Sequence, residues 1–227
     1  TKDTYIGIMP RKGSVAHMRW FRGPPRSGFH FMNAYTEGNQ VHVDFGCATV
    51  TPFPFIQQAS GVSPRPDEIG GKYVRWSFNM AKPGEKFEEY VLGPGGEMPR
   101  IAEKDFMVDY DVGYYQTFDP TVAPPLLAGP VGPGFNAILR IEVKSGKLSR
   151  IAMDPQSTVQ EHIHIPSKKP GHEGYLAFVV DRHDRNLSEV FIVEAAKLEK
   201  GPVARLQIPL GLRVAVHGNW VPAEQFS

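Results

Sequence analysis

The chain has 227 residues, 41% of them hydrophobic, which is enough to bury a substantial core. Its 25 Lys and Arg nearly balance 24 Asp and Glu, and a formal charge of +1 leaves no field to gather nucleic acid or an anionic membrane. No apolar run is long enough to span a bilayer, and the lone Cys47 excludes an internal disulfide and points to a reducing, cytoplasmic setting.

The chain opens Thr1-Lys2-Asp3-Thr4-Tyr5-Ile6 with no initiator methionine and no signal peptide, and enters a strand almost at once. This reads as a start inside a domain, with processing or a cloning boundary as the alternatives. Phe53 to Ala59 has the look of a short helical turn. From Tyr73 to Met80 the period is two: Val74, Trp76, Phe78 and Met80 share one face, while Arg75, Ser77 and Asn79 share the other. Gly93-Pro94-Gly95-Gly96-Glu97-Met98-Pro99-Arg100 lacks the Lys-Ser/Thr and the helix that a phosphate-binding loop needs. It reads as a loop in which Glu97 and Arg100 are solvated, or in which Glu97 stands at the edge of a site.

Pro124-Pro125 and the Gly/Pro run from Gly129 to Gly134 mark a long connection. Similar strands lie on both sides, so 1–227 is expected as one domain without an internal boundary. Ala137, Leu139, Ile141 and Val143 alternate with Ile138, Arg140 and Glu142, and Lys144-Ser145-Gly146-Lys147 turns the chain into Leu148 to Met153. Lys168-Lys169 reads as a solvated loop. Gly174 to Asp181 and Ser188 to Glu194 form another pair, and Ala195 to Lys200 a short helix closed by Gly201-Pro202. With 23 Gly and 21 Pro between short strands, the class is antiparallel all-β; sandwich, barrel and propeller stay open on pattern alone.

Histidines carry the readable chemistry. His30 and His217 each stand among apolar or aromatic neighbours on what reads as a strand, where an imidazole is costly to bury unless its nitrogens find partners. Either one alone suits a metal ligand or a core histidine bonded to a carbonyl. His162-Ile163-His164-Ile165 has the spacing of a two-histidine chelate, but Glu161 shares its face with Ile163 and Ile165. The apolar side therefore carries the glutamate, which leaves His162 and His164 facing solvent.

Met18-Arg19-Trp20-Phe21, then Gly28-Phe29-His30-Phe31-Met32-Asn33-Ala34-Tyr35-Thr36-Glu37-Gly38 and Val41-His42-Val43-Asp44, resembles a run of the carotenoid cleavage oxygenase family. Glu97-Met98-Pro99-Arg100-Ile101 is similar to a second motif of that family. Glu161 to Pro166 with Gly174-Tyr175-Leu176 is similar to a third, and Gly201-Pro202-Val203-Ala204-Arg205 through Val216-His217-Gly218-Asn219-Trp220-Val221-Pro222 to its closing segment. Within the family, the wording from Phe29 to Gly38 is most similar to bacterial lignostilbene dioxygenases.

The resemblance implies antiparallel blades forming part of a seven-bladed β-propeller, with one Fe(II) held by four histidines and glutamates bonded to most of them. His30 matches the third ligand and His217 the fourth. Glu97 and Glu161 match glutamates that would fix imidazole tautomer and orientation. The first two ligands, and the lysine and tyrosine that grip the substrate phenol, belong to an N-terminal half absent here, so the resemblance covers about the second half of a member. His162 departs from the proline that usually follows the glutamate, a change expected to alter local strand geometry while keeping the carboxylate.

By resemblance, the intact enzyme is a non-heme iron dioxygenase in which O2 cleaves the central C=C bond of a lignin-derived stilbene to two aromatic aldehydes. Its partners are dioxygen and a small hydrophobic aromatic olefin. No stable membrane insertion is implied, and a homodimer is compatible with the reading. Phe55 is a candidate liner of the apolar pocket, with a plain core phenylalanine as the equal alternative. Carotenoid or apocarotenoid cleavage by the same iron is the nearest rival; no exposed apolar stretch for a membrane-contacting rim is visible. A non-catalytic β-sheet module or inactive fragment is the rival of another class, and this chain alone is expected to be inactive.

Overall fold

Fifteen strands and a few 3-10 turns make up the regular structure of the computed structural model, which describes residues 3–51, 61–62, 71–84, 86–124 and 134–226. The expected helical turn from Phe53 to Ala59, and Phe55 with it, lie outside the described residues. The chain divides into two compact units, Thr1–Gly95 with Glu103–Tyr110 and Gly96–Ala102 with Asp111–Ser227. No described helix is long and apolar enough to cross a membrane.

In the first unit, β1 (Thr4–Ile8) pairs with β2 (Arg19–Gly23). A four-stranded antiparallel meander follows: β3 (Ser27–Glu37), β4 (Gln40–Ala48), β5 (Lys72–Asn79) and β6 (Glu88–Pro94). The two-residue period of β5 is realised, with Val74, Trp76 and Phe78 packed on Phe21, Phe45 and Cys47. The other face of β5 is covered as well, with Tyr73 and Ser77 also buried. On that sheet the carboxylate of Asp44 takes a two-point bond from Arg75 (2.8 and 2.7 Å) and another from the Tyr110 hydroxyl. Asp44 is thus a buried anchor satisfied on both oxygens.

The second unit holds two sheets. In one, β10 (Lys147–Ala152), β9 (Ala137–Glu142), β8 (Val112–Thr117) and β7 (Glu97–Arg100) lie side by side, all antiparallel. The β9–β10 hairpin turns where expected, with Gly146 at φ +72°. In the other, β13 (Tyr175–Arg182) pairs with β14 (Leu187–Glu194), and β14 with β15 (Pro202–Ile208). Two short strands, β11 (Ser157–Val159) and β12 (Ile163–Ile165), share the far side of β13. Tyr114, Ile138, Leu176, Phe178, Val180, Phe191 and Val193 form the core. The 3-10 turn Leu198–Lys200 ends at Gly201, φ +76°, as the Gly-Pro signal predicts. An exposed apolar stretch, absent from the sequence-based expectation, is present: Leu206, Leu210, Leu212, Val214, Val216 and Trp220 are all open to solvent within this unit.

Candidate metal centre

The site grows from an interruption in one strand edge. Val159 faces Val180 and Ile163 faces Ala177, so four steps on the β11–β12 side oppose three on β13. One extra residue is accommodated between them, a bulge that breaks the alternation of side chains. Gln160 still bonds into the ladder through its amide (2.9 Å to the Val179 carbonyl). Its side chain reaches the other way, accepting from Ala215 N–H at 3.0 Å and donating to Asp181 at 2.8 Å. Ser188 does similar work: its hydroxyl accepts from Leu212 N–H at 3.0 Å and donates to Asp181 at 2.6 Å. These buried polar side chains fasten a segment that has no ladder of its own, and so carry His217 to Glu161.

Glu161, with its side chain 7% exposed, is the hub. Oε1 accepts from His217 Nδ1 at 3.2 Å and from Arg100 Nη2 at 2.9 Å, and Oε2 accepts from Gly218 N–H. Arg100 Nη2 also donates to the Gly218 carbonyl at 2.7 Å. A carboxylate only accepts, so in a neutral His217 ring this bond puts the proton on Nδ1 and the lone pair on Nε2, the form in which imidazole binds a metal. The donor set therefore fits one corner of a histidine-ligated iron. Among the described residues no three His, Cys, Asp or Glu gather as a complete cluster.

Several expectations are corrected here. His217 is not on a strand: residues 211–220 are irregular, and its side chain is 56% exposed. His162 does not face solvent. It is fully buried, because the bulge lets Glu161 and His162 both turn inward. Neither of its ring nitrogens meets hydrogen-bond geometry, although the Tyr114 backbone lies near enough to favour the proton slightly; burial, then the Arg100 charge, pushes its pKa down to about 3. His164 is half-buried, with Nε2 2.7 Å from the Glu173 carbonyl and its ring stacked on Tyr114. Arg100, read as solvated, is tied to Glu161 and Gly218, and of the segment read as a loop Gly93 and Pro94 end β6 while Glu97–Arg100 form β7.

Glu97 opens β7 and accepts from the Met98 amide at 3.2 Å. Glu97 pairs with Gln116 and Arg100 with Tyr114, three steps against two, with Met98 at φ +53° in the bulge. Gln116 and Tyr114 share one face of β8, so Glu97 and Arg100 share one face of β7. Glu97 thus lies on the face from which Arg100 reaches Glu161. His30 belongs to the first unit. It is half-buried in β3, with the Phe29 ring edge-on at 4.4 Å, and lies between Gly28 and Phe31, where three steps oppose two on β4. The structure brings Glu161 and His217 together with Arg100 and Gly218. The fasteners Gln160, Asp181 and Ser188 went unread in the sequence, where polar residues on strands look solvated.

These antiparallel sheets correspond to blades of the β-propeller in the solved carotenoid oxygenase structures the chain superposes on. Residues 1–222 match the family described as retinal pigment epithelial membrane protein, RPE65, and the chain belongs to that family of carotenoid oxygenases. It is similar to lignostilbene-alpha,beta-dioxygenase isozyme III of Sphingomonas paucimobilis, 29% identical over 99% of this chain and 48% of that one. Isoeugenol monooxygenase of Pseudomonas putida is 28% identical, over 96% of this chain and 46% of its own length. Among solved structures, Pseudomonas brassicacearum lignostilbene dioxygenase superposes with a TM-score of 0.88 at 27% identity, covering 97% of this chain and 47% of that one. The chain spans about half the length of the curated relatives it matches.

Proposed function

We propose that the chain is the C-terminal portion of a non-heme Fe(II) dioxygenase that splits the central C=C bond of an aryl alkene, a hydroxylated stilbene first of all. The alkene and O2 would give two aldehydes, one oxygen atom in each. His30 and His217 are the proposed iron ligands in this chain, with Glu97 and Glu161 orienting them. When bound, the iron supplies the activation of O2. Glu161 holds the Nδ1 side of the His217 ring, and Arg100 and Gly218 hold Glu161. The observation that supports this most directly is the Glu161–His217 pair, which in a neutral ring puts the proton on Nδ1 and the lone pair on Nε2. Relatives named for lignostilbene and isoeugenol, both aryl alkenes, favour that substrate class over a long polyene.

The test uses the intact enzyme. With a 4-hydroxystilbene and labelled O2, each aldehyde should carry one labelled oxygen. His30→Ala or His217→Ala should abolish iron retention, while His162→Ala and His164→Ala keep it. Loss of iron only in the second pair would mean that the wrong histidines were chosen.

A further inference from the structure

We propose that Arg100 is a positioning residue for His217, acting through Glu161. This rests on the reading of His217 as a ligand only for its consequence at iron; the positioning itself stands on geometry. Nη2 has two hydrogens, and each has an acceptor: Glu161 Oε1 at 2.9 Å and the Gly218 carbonyl at 2.7 Å. Glu161 returns a bond to the same glycine by accepting its N–H. Arg100, Glu161 and Gly218 therefore close a ring of hydrogen bonds around the residue next to His217. That matters because residues 211–220 are irregular, so His217 inherits its position from these side chains and not from a strand ladder.

Charge sharpens the effect. Glu161 is almost fully buried and Arg100 is 28% exposed, so their bond is charge-assisted and only partly screened. With Arg100 in place, Oε1 cannot swing away from His217 Nδ1 without giving up the guanidinium. Without it, the Gly218 N–H remains on Oε2 but Oε1 loses its second donor, so the carboxylate holds the ring less firmly and the proton exchanges more readily between Nδ1 and Nε2. A proton on Nε2 blocks the nitrogen that faces away from Glu161.

The test compares Arg100→Met, which keeps bulk and removes charge, with Arg100→Gln, a second uncharged variant that can still bond one partner. In the metal-free intact protein at one fixed pH, the 15N shifts of the His217 ring should report a single Nδ1-protonated tautomer for the unchanged protein. Both variants should show a mixture, larger for Met. Fe(II) affinity should fall about 10- to 100-fold for Arg100→Met, with kcat reduced more than KM rises, and Arg100→Lys should recover part of the tautomer preference. A purely structural ion pair would lower the melting temperature and leave the His217 tautomer untouched, and that result in either variant overturns the proposal. His217→Ala, assayed alongside, separates the two ideas: iron retained there sinks the ligand reading, while the ring shifts still judge Arg100.

Discussion

A buried imidazole held in its neutral form makes stability depend on acid. His162 is held neutral when folded, with a pKa of about 3, against about 6.5 for an unfolded chain. Above pH 6.5 neither state binds the proton and His162 costs nothing on this account. Between 6.5 and 3 the unfolded chain takes the proton and the folded one does not, so stability falls as pH falls, by up to about 1.4 kcal/mol per pH unit. His162→Leu removes the group at similar volume. Its unfolding free energy should match or exceed that of the unchanged protein at pH 7, with a gap that widens towards pH 5 in urea titrations. Parallel pH curves would show that His162 is not the residue responsible. Asp44 is the opposite case, a buried charge with every partner present. Asp44→Ala would leave the largely buried Arg75 guanidinium uncompensated and should cost about 3–5 kcal/mol, measured by denaturant unfolding.

Bulges recur where the proposed chemistry is. Irregular register falls at His30 in β3, at Met98 between Glu97 and Arg100 in β7, and at Gln160 to His162 between β11 and β12. Each adds one residue on one strand and re-aims a side chain that strict alternation would have sent elsewhere. Gly96 shows how tightly one of these is built: a Cβ there would lie 2.2 Å from the Gln116 carbonyl oxygen and 2.3 Å from the fully buried Tyr115 ring. Gly96→Ala should push β7 off β8, cost about 1–3 kcal/mol, and loosen Fe(II) through displaced Arg100; unchanged stability would mean that β7 yields without strain. The same bulges mark the limit of what could be read from sequence. Strands with an even period, such as β5 and β9, were legible because their apolar residues alternate. Glu161 was legible as inward-facing, but His162 was not, since period two cannot place adjacent residues on one side. The proximity of His217 to Glu161 depends on Gln160, Asp181 and Ser188, whose burial no local pattern announces.

At the scale of the whole chain, the second unit leaves a run of apolar side chains in water. β15 is the outer strand of its sheet, so one row of its backbone groups faces no other described strand, and Leu206, Leu210, Leu212, Val214, Val216 and Trp220 are exposed on it and after it. The purified 227-residue chain should therefore self-associate as its concentration rises, which sedimentation velocity can follow; a monomer at high concentration would mean these residues are covered in solution. Two neutral imidazoles are a weak shell for Fe(II), a metal low in the usual affinity order, and a loose shell neither fixes its geometry nor retains it through dialysis. Expressed alone, the chain should hold well under one equivalent of iron and cleave a 4-hydroxystilbene no faster than buffer containing Fe(II). Robust cleavage by that preparation would show that the residues present already suffice for the reaction, and would overturn the view that His30 and His217 are only part of the iron shell.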